Sequence, residues 1–226
     1  MENRLASQII EALRRGIPPH RGIQSYSVGH EGLIAGIQKY HLQDLQHRGI
    51  LRFMSGSWGA GKTHLFRLLQ EICLKDNCVV ANVELNINDT ALNKFERIYA
   101  GIIRQLQTPY AYAQMKTSTG FAFVLQEALS YLVVGEQKSL SQISYTDYHR
   151  SCEHLFLCTD IDIDFKKMVQ AYWETFLSKT SDPIIQEQAR GEILQWFTGD
   201  GNLSRFRYQF DVSGMVNREN AREMLH

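Results

Sequence analysis

Residues Gly56, Ser57, Trp58, Gly59, Ala60, Gly61, Lys62 and Thr63 spell the pattern GxxxxGK[ST]. A polyphosphate needs several donors converging on one anion with no side chain in the way, and closely spaced glycines let the backbone curl to supply them. The N–H groups of residues 58 to 63 would then point inward and run on into the unsatisfied donors and positive dipole end of a following helix. In that arrangement Lys62 supplies a point charge to the β- and γ-phosphates, and the Thr63 hydroxyl a ligand to Mg2+. With glycine at about 7% of average usage, the fixed positions match by accident in roughly one chain per hundred, so the flanking elements must decide. Trp58 is unusual in so tight a loop. It reads either as a lid packing on its own domain or as a residue stacking on a base.

Hydrolysis asks for an acid at the end of another strand to hold the metal, and a second group to orient water. Leu155, Phe156, Leu157, Cys158, Thr159 and Asp160 mimic such a strand. Thr159 interrupts the apolar run, no Glu follows Asp160, and Asp162 and Asp164 fit the N-terminal cap of a helix better. Glu84, at the end of the apolar run after the loop helix, is the other candidate acid, with Asn82 on the same face; a solvated strand end is the plainer reading. Arg205 and Arg207 are candidates for a contact to a neighbouring subunit, or the charges of an edge strand. Arg97 and Arg104 fit the polar face of a helix. His149, Cys152, His154 and Cys158 lie close in sequence, but their spacing matches no structural zinc pattern. With no CxxC pair among Cys73, Cys78, Cys152 and Cys158, reduced thiols are expected.

The elements that must position the loop follow from periodicity. Leu5, Ile9, Ile10 and Leu13 make one apolar stripe over residues 3 to 15, stopped by Gly16, Pro18 and Pro19. Leu33, Ile37, Tyr40 or His41, and Leu45 repeat over 31 to 47. Ile50 to Ser55 and Cys78 to Leu85 read as short buried strands on either side of a helix over Lys62 to Lys75, a βαβ unit with the loop in its first turn. Ala91–Leu106, Phe121–Val134, Ile163–Leu177 and Pro183–Phe197 all fit the helical period. Phe206, Tyr208, Phe210 and Val212 alternate and suggest a strand. Asn217 to His226 starts another amphipathic helix.

Composition bounds the rest. The chain has 226 residues, 24 basic against 24 acidic, so no excess charge announces a nucleic-acid binder. No apolar run approaches the roughly 20 residues of a membrane span, and the N-terminus opens an amphipathic pattern rather than a signal peptide. A cytoplasmic protein is expected.

Ile9-Ile10-Glu11-Ala12-Leu13-Arg14-Arg15-Gly16-Ile17-Pro18, then Val28-Gly29-His30-Glu31, the Gly56–Thr63 loop, Val83-Glu84-Leu85 and finally Asn217 to Leu225 follow one another in an order that resembles the BREX-type, BrxD-like ATP-binding proteins, a phage-defence family of P-loop ATPases. Such proteins are similar to the AAA and origin-recognition ATPases, in which a Val-Gly-Arg-Glu segment lies against adenine. The resemblance implies that role for Val28 and Gly29, with His30 in place of Arg. It also implies the first half of an ATPase, ending before the Walker B strand: either a fragment, or a short form completed by a partner.

The expected fold is therefore α/β, a P-loop core with a small parallel sheet of the AAA or RecA kind, with residues 1–90 as N-terminal helices and nucleotide-binding core and 91–226 as a helical subdomain. The expected activity is Mg-ATP binding, with hydrolysis dependent on groups outside the chain and DNA reached only through an assembly. The alternatives are a non-catalytic, nucleotide-responsive subunit docking on a larger complex, and a small-molecule kinase, which would need a complete sheet.

Overall fold

The computed structural model describes residues 2–19, 21–42, 49, 51–86, 88, 90–114, 119–134, 144–157, 161–177 and 182–224. The chain divides into two compact units, Met1–Val80 and Ala81–His226.

In the first unit, α1 (Glu2–Arg14) ends in a left-handed Gly16. A 3-10 turn at Ile23–Ser25 follows Gly22, whose φ of 71° and close approach to α1 both call for glycine: an added Cβ would lie 2.7 Å from Ile9 Cδ1. Next come α2 (Glu31–Ile37), prolonged by a π-helical turn at Gln38–Leu42, and α3 (Lys62–Lys75). Positions 65, 68 and 72 recur at helical spacing on α3, so Leu65, Leu68 and Ile72 form one stripe, and Ile23 is fully buried against it. Each such side chain contributes about 1.5–3 kcal/mol when buried. At the far end of α3, Asn77 is left-handed (φ 59°), and Cys78 N–H reaches back to the Cys73 carbonyl at 2.8 Å, a Schellman-type stop.

The second unit contains α4 (Phe95–Gln105), α5 (Pro109–Ala113), α6 (Phe121–Val134), α7 (Tyr145–Leu157), α8 (Ile163–Glu174), α9 (Pro183–Phe197), α10 (Leu203–Phe210) and α11 (Asn220–Glu223). Its starts are written in the sequence: Thr108, Asp162, Asp182 and Asn202 each accept an N–H from the first turn they precede, and Pro109 and Pro183 occupy first helical positions. The core is aromatic, built on Tyr99, Leu129, Met168, Tyr172, Trp173, Trp196 and Phe197. Both tryptophans satisfy their indole N–H on carbonyls, Trp173 on Leu125 and Trp196 on Gly214, each at 2.9 Å. Asp164 turns inward: its Oδ2 accepts Ser213 N–H at 2.8 Å, the Ser213 hydroxyl and Gly214 N–H.

The expected α/β core is corrected by this architecture. The described residues are 62% helix, and no strand forms among them. Ile50 lies outside the described residues. Leu51, at 74% exposure, and Phe53, at 91%, stand in solvent, so the apolar run after it is not a buried strand. Cys78 to Leu85 is also irregular, with Val83 packed close to Gly101 of α4 instead of to a neighbouring strand. β-branched composition describes a surface that fits a sheet, and it specifies no ladder unless a second strand is there to pair. Phe206, Tyr208 and Phe210 sit on α10, not on a strand: Phe206 and Phe210 are one turn apart, their rings stacked at 6.2 Å, while Tyr208 points to solvent. A four-residue spacing satisfies both the period of two and the helical turn, and the Asn202 cap decides for helix.

Candidate functional site

The Gly56–Thr63 segment leads directly into α3, with Gly61 as its N-cap residue. Gly59 (φ 80°) and Gly61 (φ 81°) are both left-handed, and no atom lies within 4 Å of where a Cβ on either would sit. These glycines are required by backbone conformation and not by crowding, which leaves an open cradle at the start of the helix. Ala60 N–H closes the turn on the Ser57 carbonyl at 3.3 Å. Lys62 folds over the loop, its ammonium donating to the carbonyls of Gly56 (2.8 Å) and Ser57 (2.7 Å). Thr63 is exposed in the first turn of α3, and Trp58 is fully exposed at 101%, packing on nothing in its own unit.

An anion fits this cradle: helix N-terminal amides, two left-handed glycines and an ammonium already at the loop. The Thr63 hydroxyl is one hard oxygen of the kind Mg2+ takes alongside phosphate oxygens and water.

The segment holding Val28 and Gly29 is brought to the same helix. Two side chains seven residues apart on α3, His64 and Glu71, face the turn at residues 23 to 27. Glu71 is buried at 3% exposure, accepts Ile23 N–H at 2.8 Å and pairs with Lys75 at 2.8 Å; Lys75 also donates to Gln24. His64 Nε2 lies 2.8 Å from Ser27 Oγ, its ring packs edge-on to Tyr26 at 5.5 Å, and His30 is 5.8 Å away. Burial, reinforced by the charge His30 can carry, pulls the His64 pKa below its usual value. Tyr26 is pushed up by burial and then by the Glu71 carboxylate, and its hydroxyl is enclosed without a hydrogen-bond partner. Beyond this framework Val28 is 82% exposed, Gly29 is left-handed with open space beside it, and its N–H donates to Glu31 at 3.3 Å.

Sequence reasoning did not single out Ser27, His64 or Glu71. The signal for Glu71 was present: a carboxylate on the apolar stripe of Leu65, Leu68 and Ile72 demands a buried donor. For Ser27 and His64 no spacing in the chain announces the contact.

The remaining sequence candidates make contacts of their own. Glu84 is exposed and belongs to the second unit, where its carbonyl accepts the Thr90 hydroxyl at 2.6 Å. Asp160 lies outside the described residues. Arg205 pairs with Glu192 at 2.7 Å, Arg207 donates to the Ser213 carbonyl, Arg97 to the Asn88 carbonyl and Arg104 to Asp200. Those contacts occupy all four guanidinium groups within the second unit. His149 packs on Tyr145 and Cys152 is buried, while the side chain of His154 and all of Cys158 lie outside the described residues; no metal-holding cluster is found among those that are described. Burial pushes the Cys73 thiol up to about 11, in keeping with a protonated thiol. No described helix is long and apolar enough to cross a membrane.

Comparison with curated proteins and with solved structures gives no match. The family model of the BREX system ATP-binding proteins BrxC/D does match, over residues 1–226, with the Gly56–Thr63 cradle inside it. The chain therefore belongs to the BrxC/D family of BREX system ATP-binding proteins.

Proposed function

We propose that this chain binds Mg-ATP through the Walker A loop Gly56–Thr63, in the cytoplasm, as the nucleotide-holding part of a phage-defence assembly. The observation that carries this reading is the open cradle of left-handed glycines at the start of α3, with the Lys62 ammonium over it. Loop amides hold the phosphates, Lys62 exchanges its two carbonyl partners for phosphate oxygens, and Thr63 offers its hydroxyl to Mg2+. Val28 and Gly29 present an open apolar edge, tied to the same helix, for the base. Calorimetric titration with ATP-Mg tests the reading. Binding that disappears in Lys62→Ala, with the helical content unchanged, is the expected result. Equal affinity in wild type and Lys62→Ala would sink it.

Turnover by this chain alone is slow in this reading, because an acid positioned at the phosphates supplies much of the rate and neither Asp160 nor Glu84 replaces the missing Asp-Glu pair. Phosphate release by purified protein, compared with Lys62→Ala and Glu84→Gln, checks this. Turnover near one per second, lost in Lys62→Ala, would contradict it. The second reading, a nucleotide-responsive docking subunit, is favoured by the full exposure of Trp58 and Phe53 beside the loop sequence. Adding candidate partners and measuring turnover distinguishes the two.

A further inference from the structure

Ser27 has one hydroxyl proton, and it goes to the Ile23 carbonyl at 2.7 Å. The 2.8 Å contact to His64 must then run the other way, with His64 Nε2–H donating to Ser27 Oγ. This places a proton on His64 Nε2, and the tie to Ser27 is a donated hydrogen bond. The surroundings favour the neutral ring, since His64 stands in the first turn of α3, where the positive helix end disfavours imidazolium, and His30 is 5.8 Å away. The groups around the ring are Tyr26 and Ser27 from the turn and His30 from the start of α2.

His64 follows Thr63 in the chain, so the residue that ties down the 26–31 segment stands in the first turn of the helix that the loop enters. Glu71, two turns further along α3, anchors the other end of the same turn at Ile23 N–H. Glu71 sets where the turn begins, and His64 sets where its exposed continuation, Val28 and Gly29, lies relative to the loop. A base extending from phosphates on the loop meets that continuation in a fixed position only while the His64 tie holds.

Resting on the nucleotide reading above, we propose that His64 is a positioning residue for the base half of the nucleotide, acting through its Nε2–H bond to Ser27 and not through the phosphates. Its loss therefore weakens ligands that carry a base and spares ligands that do not.

The test is calorimetry with two probes, ATP-Mg and inorganic tripolyphosphate-Mg, on wild type, His64→Ala, His64→Gln and Ser27→Ala. Losing one neutral hydrogen bond at a partly buried site should weaken ATP about tenfold in His64→Ala. Tripolyphosphate affinity should stay within about twofold of wild type, because the loop amides and Lys62 are intact. Gln carries an amide N–H at a reach similar to Nε2, so His64→Gln should recover most of the ATP affinity, and Ser27→Ala should reproduce the His64→Ala pattern. Equal losses for both probes would overturn the inference, since His64 would then support only the loop. So would an unchanged ATP affinity in His64→Ala. Lys62→Ala is the control for the parent reading: if it keeps wild-type affinity for both probes, the phosphate loop reading has failed, whatever the His64 variants do.

Discussion

The two units solve the problem of holding a structure together in different ways. Ala81–His226 buries Tyr172, Trp173, Trp196 and Phe197 in one aromatic core, where the two indole N–H groups are satisfied on carbonyls. Among its described residues, Met1–Val80 buries Ile23, Leu65, Leu68 and Ile72 as a cluster, and its turn is held on α3 by Glu71 and His64. A thin apolar core with directional polar ties keeps a loop and a segment in register while leaving both open to solvent. A thick aromatic core instead serves stability. On the reading proposed above, ligand chemistry lies where burial is least.

That contrast can be broken at its strongest point first. Trp196→Ala removes a fully buried indole and leaves the Gly214 carbonyl without its donor, so it should cost about 3–5 kcal/mol by chemical denaturation. ATP-Mg affinity, measured under conditions where the variant is still folded, should not change. A loss below about 1 kcal/mol would mean that the aromatic core is not what stabilises the helical unit.

Glu71→Ala comes next. It strands the buried Ile23 N–H, and should cost about 2 kcal/mol with a local rise in amide exchange at Ile23. An unchanged Ile23 amide would show that the turn is held by Ile23 packing alone. Thr63→Ala should leave metal-free nucleotide binding intact and remove a several-fold Mg2+ increment, read from titrations with and without the metal. An equal increment in both proteins would refute the metal role.

The smallest effect lies on the surface of the helical unit. Asp211 accepts a 2.8 Å hydrogen bond from Lys167, which holds its carboxyl below the usual carboxylate range; the same bond holds Lys167 above its own. A folded pKa below the unfolded one means that the Asp211 contribution is complete above about pH 4 and is lost as pH falls through the lowered folded value. Thermal melts of wild type and Asp211→Asn should therefore differ slightly at pH 6 and converge toward pH 2. A gap that widens in acid would reverse the sign.

The parts of this molecule legible from sequence are those fixed by local rules. The start of α3 and its loop follow from Gly59, Gly61 and the apolar stripe; α9 follows from Asp182 and Pro183, and α8 from Asp162. The sheet expectation failed because Cys78 to Leu85 carries strand composition while its pairing depends on residues far away in the chain, and Val83 meets α4 instead. α10 was misread because Phe206 and Phe210 satisfy two periods at once. Of the proposed site, the Gly56–Thr63 side is a motif of eight adjacent residues. The other side was not, because Ser27 and His64 meet across 37 positions and only the fold brings them together.

Amide hydrogen exchange along the whole chain, with and without ATP-Mg, tests the central claim most directly. Slowed exchange at residues 58 to 65, extending to 26 to 31, with the aromatic core of Ala81–His226 unchanged, is the expected result. Unchanged exchange across Gly56–Thr63, with protection appearing elsewhere in the chain, would contradict the account.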